Sequence, residues 1–184
     1  MKVNIHLSGW VAGFVMAVLV AATVRAEKVS LQDFETGNGT KDHLYFSDVW
    51  QSAPDFETDK VHSGRQALRL SAPDKGGTVS VYFSNNRQSI DLTNVKSFSI
   101  WVYDTQGDNT VQIRLKDVNG NGGAGTDDMF LWSANAAQKD KWTKVKWMLS
   151  DYPAVEGLDL KQIRCIELYE LQAGTYYFDD LEAN

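Results

Sequence analysis

The sequence predicts an all-β protein, a two-sheet antiparallel β-sandwich of jelly-roll type. Three observations carry that expectation. Lys96 to Asp104 alternates strictly, with Phe98, Ile100 and Val102 on one side and Ser99, Trp101 and Tyr103 on the other, which is the period of a strand with one face in a core. Alternation returns at Thr78–Ser84, Val111–Lys116 and Trp142–Leu149, in short segments set apart by turn residues. No stretch sustains a helical period of apolar residues, and with 3 prolines and no internal repeat no linker is visible.

The chain begins with a segment that does not belong to the fold. Residues 1–26 have a cationic start at Lys2, an apolar run from about Val11 to Val20, and a small-residue ending at Val24-Arg25-Ala26. This is the pattern of a signal peptide, and the apolar run is short for a membrane span. The mature domain is expected over 27–184, secreted or periplasmic and free of the membrane once the leader is cleaved. Loss of Lys2 and Arg25 takes the formal charge from −6 to −8. An acidic chain is a poor partner for nucleic acid or an anionic membrane, and neutral glycans and cations suit it better. The single cysteine, Cys165, lies in an apolar strand and reads as a small buried hydrophobe with no internal disulfide.

In chain order, Val29, Leu31 and Phe34 supply a first strand, and Thr36–Thr40 turns the chain. His43–Gln51 is a short strand or loop that carries Trp50. Val61–Leu70 is a turn and then a strand, with Ala67 and Leu68 near the core. Gly76-Gly77 leads into Thr78–Ser84, with Val79, Val81 and Phe83 inward and Ser80 and Tyr82 outward. Ile90-Asp91-Leu92 connects to the Lys96–Asp104 strand. Gly107-Asp108-Asn109 reads as a hairpin turn into Val111, Ile113 and Leu115, with Gln112, Arg114 and Lys116 outside. A glycine-rich loop from Asp117 to Asp128 precedes Met129–Trp132. Val145, Trp147 and Leu149 face inward on the next strand, and Trp142 and Trp147 are expected as structural rings. Ile163–Leu171 and Thr175–Leu181 are the last strands.

These landmarks, taken in order, resemble the jelly-roll carbohydrate-binding modules, the galactose-binding-like sandwiches appended to bacterial glycan-degrading enzymes. The matching pieces are Asp33-Phe34-Glu35, His62-Ser63-Gly64 with Ala67-Leu68, Ile90-Asp91-Leu92 before Ser97–Val102, Trp142–Val145 with Leu149-Ser150, and Gly174–Leu181. They run across almost the whole mature chain. The resemblance implies a structural calcium ion held by Glu35 and Asp179 with backbone carbonyls from about Lys60 to Gly64. Calcium takes about six to eight oxygens, so a set of carboxylates and carbonyls is chemically apt. A second oxygen-rich spacing, Asp117-x-Asn119-x-Asn121-Gly122 with Asp128, lacks flanking helices and is read as a loop near the binding face.

The aromatic residues opposite the core point to a ligand. Tyr82, Trp101, Tyr103, Phe130 or Trp132, and Tyr169, with Arg114, Gln112 and Glu167, are expected on one sheet face, and Trp50 in a loop adds a rim contact. Sugar rings stack their C–H patches on Trp and Tyr, while charged and amide groups bond the hydroxyls. The expected function is non-catalytic binding of a polysaccharide or oligosaccharide. Two alternatives remain open at this point. One is a small secreted lyase or hydrolase, for which Tyr103 or Tyr169 with Arg114 would have to converge. The other is an adhesion subunit with a protein partner.

Overall fold

The computed structural model describes residues 28–35, 44–45, 53–72, 77–82, 88–107, 110–119, 128–132, 136–152 and 158–184. Two antiparallel sheets face each other across one core. The six-stranded sheet runs β3 (Ala53–Glu57), β4 (Ala67–Ala72), β11 (Gly174–Ala183), β6 (Ser97–Asp104), β9 (Trp142–Met148). β1 (Val29–Gln32) pairs the second half of β11, beyond the end of β4. The five-stranded sheet runs β2 (Leu44–Tyr45), β5 (Gly77–Tyr82), β10 (Ile163–Leu171), β7 (Gln112–Asp117), β8 (Asp128–Trp132). Single 3-10 turns lie at Leu149–Asp151 and Leu160–Gln162.

Alternation builds the core as expected. Phe98, Ile100 and Val102 meet Val111, Ile113, Leu115, Val79, Val81, Ile166 and Leu168 from the opposite sheet, with Trp147, Phe34 and Phe178 among them. Each inward row removes apolar area from water at about 25 cal/mol per Å², so a one-residue slip in register would expose a whole row.

Four expectations change. Val29 is exposed, and Phe34 fills the core instead at the far end of the segment, on a left-handed backbone with φ 58°. β3 was not apparent in the sequence, because Ala-Pro-Asp-Phe-Glu has no alternation and contains proline; Pro54 is accommodated because β3 is an edge strand. The hairpin expected at Gly107-Asp108-Asn109 is corrected, since β6 and β7 belong to different sheets and do not pair. The hairpin is the next connection, β7 to β8, which the glycine-rich loop closes. The leader, Trp50 and Phe83 lie outside the described residues. On the edge strand β9, Lys144 and Lys146 are exposed, a charge pattern that opposes pairing with another chain's edge.

Candidate functional site

The outer side of the five-stranded sheet holds an unusual set of groups. Cross-strand rows place Tyr82, Cys165 and Lys116 side by side, and Ser80, Glu167 and Arg114 in the next row. β8 extends these rows with Asp128 opposite Lys116, Phe130 opposite Arg114 and Trp132 opposite Gln112. β10 sets Tyr169 on the other side of Gln112. None of Ser80, Gln112, Arg114, Lys116 and Glu167 belongs to the apolar core, yet Gln112 and Glu167 are 3% exposed, Lys116 7% and Arg114 8%.

Glu167 is the hub of this face. Arg114 Nη2 pairs with its Oε2, Lys116 Nζ lies 3.5 Å from its Oε1, and Ser80 Oγ donates to the same oxygen at 3.4 Å. The mutual attraction of such charges in a low-dielectric setting offsets part of the cost of taking them out of water. Gln112 Oε1 has no hydrogen-bond partner among the described residues. A buried acceptor without a donor is costly, so this position favours a donor supplied from outside. Cys165 is buried, as the sequence suggested, but in the row between Tyr82 and Lys116 and outside the apolar cluster.

The outer side of the six-stranded sheet carries a different cluster. Tyr103 meets Trp142 and Tyr177 edge to face, each at a centroid distance of 5.8 Å. His62 stacks on Trp101 at 3.9 Å and touches Trp142 by an edge at 5.6 Å. Lys60 Nζ lies 4.1 Å above the Tyr103 ring and 5.0 Å from that of Tyr177. Trp142 is therefore half-buried and at the surface rather than in the core, whereas Trp147 is fully buried as expected.

Lys60 and His62 reach these rings from a turn that two carboxylates hold. Glu35 Oε1 accepts the N–H groups of Arg65 (2.6 Å) and Gln66 (2.9 Å), while Asp179 Oδ2 accepts those of His62 (2.9 Å) and Ser63 (3.1 Å). Gly64, at φ 63°, packs so closely on the Glu35 carboxylate that a side chain there would collide with it. Glu35 and Asp179 thus both meet the turn at 62–66, and the contacts they make there are with N–H groups, not with the carbonyls that the resemblance implied. Burial pushes the Asp179 carboxyl above its usual range, the neighbouring Asp180 adds to the rise, and the N–H groups of Ser63, His62 and Asp180 pull it back. The carboxylates of Glu35 and Asp179 are oxygen ligands of the kind that a hard cation takes. Asp117 differs. Its Oδ1 accepts from Asn119 N at 2.7 Å and its Oδ2 from Asp159 N at 3.0 Å, so the start of the glycine-rich loop is fastened to main chain.

The expected single aromatic face is corrected: its members lie on both sheets. Trp101 and Tyr103 belong to the six-stranded sheet, and Tyr82, Arg114, Trp132 and Tyr169 to the five-stranded one. Alternation tells which residues oppose the core but not which layer they belong to. Tyr103 and Arg114 accordingly cannot converge on one substrate, whereas Tyr169 and Arg114 lie on adjacent strands. Lys116 and Ser80 were read only as outward residues. The signal that could have singled out Lys116 is its place, two residues from Arg114, opposite the Glu167 strand.

No protein-family model matches the chain, and no curated protein matches it. Solved structures do. A family 11 carbohydrate-binding module from Clostridium thermocellum, in complex with a β-1,3-1,4-mixed-linked tetrasaccharide, matches at TM-score 0.60 and 14% identity, over 85% of this chain and 94% of that one. The family 30 module of a cellulosomal cellulase from the same organism matches at TM-score 0.56 and 15% identity, over 77% and 86%. The CBM22-1–GH10 modules of a C. thermocellum endo-1,4-β-D-xylanase, complexed with xylohexaose, match at TM-score 0.61 and 10% identity, over 87% of this chain and 29% of that one. At these identities the likeness establishes the fold.

Proposed function

From the jelly-roll β-sandwich fold that it shares with carbohydrate-binding modules, we propose that this chain binds a polysaccharide or oligosaccharide, without chemical change, on the outer face of its five-stranded sheet. One observation carries the reading. Ser80, Gln112, Arg114, Lys116 and Glu167 are buried together on a face that adds nothing to the apolar core. Burying a polar group costs free energy unless a partner is found, and a hydroxyl-rich ligand supplies one to Gln112 Oε1, which has none among the described residues. Arg114 and Lys116 donate to sugar oxygens, Glu167 and Gln112 accept from hydroxyls, and aromatic rings from the neighbouring rows stack on the sugar's C–H faces. An acidic chain favours a neutral glycan. The oligosaccharides in the family 11 and xylanase structures are of that kind. The chain acts outside the cytoplasm after loss of residues 1–26.

Electrophoresis through gels that each contain one neutral polysaccharide tests this. One glycan should retard the protein. Arg114→Ala and Trp132→Ala should each weaken that retardation at least about tenfold (~1.4 kcal/mol), and Trp101→Ala should not. Loss with Trp101→Ala and not with Trp132→Ala would move the site to the other sheet, and no retardation on any gel would overturn the proposal.

A calcium ion held by Glu35 and Asp179 completes the reading as a structural group joining the first and last strands through the turn. Excess calcium should then raise the stability of the protein by about 2–3 kcal/mol when free calcium exceeds the dissociation constant about a hundredfold. Thermal unfolding with EDTA and with calcium measures this, and Glu35→Gln should abolish the difference. An equal response in wild type and Glu35→Gln would count against the assignment.

A further inference from the structure

Asp179 and Asp180 are consecutive in a strand, where period two would send their side chains to opposite faces. They do not separate. Between Asp179 and Glu182 the pairing of β11 with β6 shifts register, and Asp180 takes a left-handed backbone with φ 48°. This conformation is strained for a residue with a Cβ. Its result is that both carboxylates meet the same histidine. His62 N donates to Asp179 Oδ2, and His62 Nδ1 lies 2.9 Å from Asp180 Oδ2.

We propose that His62, Asp179 and Asp180 form a binding site for a borderline divalent cation of the zinc class. One donor atom from each residue lies within 4.8 Å of the other two. The imidazole stacks on Trp101 and touches Trp142 by an edge, with Nδ1 directed at Asp180. Ser63 Oγ donates to Asp180 Oδ1 at 3.0 Å and Ser63 N to Asp179 Oδ2, orienting the carboxylates as outer-layer hydrogen bonds do at metal centres. One imidazole nitrogen with two carboxylate oxygens suits zinc, which takes mixed nitrogen and oxygen donors in four-coordinate sites. Calcium prefers oxygen alone. Three protein donors leave a fourth position for water. On binding, neutral His62 exchanges its contact with Asp180 Oδ2 for the ion. The site shares Asp179 with the proposed calcium set but not Glu35, so the two are separable by mutation.

Titration calorimetry of the purified protein with zinc chloride, and in parallel with calcium chloride, tests the assignment. Zinc should bind with a stoichiometry of one. His62→Ala and the near-isosteric Asp180→Asn should each weaken zinc at least about tenfold, His43→Ala should leave it intact, and His62→Ala should leave the calcium response unchanged. Asp180→Asn keeps the test decisive if His62→Ala folds poorly. Zinc affinity within twofold of wild type in both variants, absence of zinc uptake, or loss only in His43→Ala would overturn the proposal. Failure of the calcium reading would appear separately, as a calcium titration without heat or one indifferent to Glu35→Gln.

Discussion

Glu167→Ala will destabilise the protein by about 3–5 kcal/mol, one of the two largest losses expected of any single substitution here. The reason is the company that Glu167 keeps. Arg114 and Lys116 are both nearly buried and both directed at its carboxylate. Removing the anion takes away the carboxylate that both cations share in a setting that water barely reaches, and with it attraction that offsets their desolvation. Glu167→Gln, which keeps an acceptor, should cost less. Denaturation in urea measures both. A loss below about 1 kcal/mol for Glu167→Ala would mean that water reaches this face more freely than the geometry implies. A combined variant separates stability from function. Replacing Arg114, Lys116 and Glu167 together by Met, Leu and Leu removes the three buried charges at once, and such swaps are often neutral or stabilising. That protein should fold and should no longer be retarded by any glycan. If it binds as well as wild type, the polar face is not the ligand site.

Trp147→Ala will cost about 3–5 kcal/mol through a different route. Trp147 is the largest fully buried side chain, on β9 at the heart of the apolar cluster. Its truncation opens a cavity between the sheets and removes the bond from Trp147 Nε1 to Val111 O, 3.3 Å long, which ties the six-stranded sheet to the approach of β7. Trp147→Phe retains most of the volume and should lose roughly 1–3 kcal/mol. Glycan retardation by whatever fraction remains folded should be unchanged. Equal stability of Trp147→Ala and wild type would show that the two sheets collapse to fill the space.

The contrast between these two residues marks how far the sequence could be read. Trp147 was legible: its strand alternates with period two, so Val145 and Trp147 had to share the inward side. Glu167 was legible as outward but not as buried, because nothing in its own strand reports that Arg114 and Lys116 lie on the next one. Tyr82 and Trp101 looked equivalent for the same reason. Each opposes the core in its own strand, and only the strand order shows that they are on different layers. Asp180 is the extreme case. Its cooperation with Asp179 depends on one backbone angle, which overrides the alternation that the sequence announces.

By itself the sequence determined the class of fold and the inward rows of the strands that alternate, such as Phe98, Ile100 and Val102. These follow from local rules, since side-chain period and turn chemistry act within a few residues. Tertiary structure alone decided which outward residues share a sheet, how the charges around Glu167 are buried, and why two consecutive aspartates face one histidine. Those properties belong to contacts between residues up to 118 positions apart, and their energies arise from desolvation and geometry that no single segment contains.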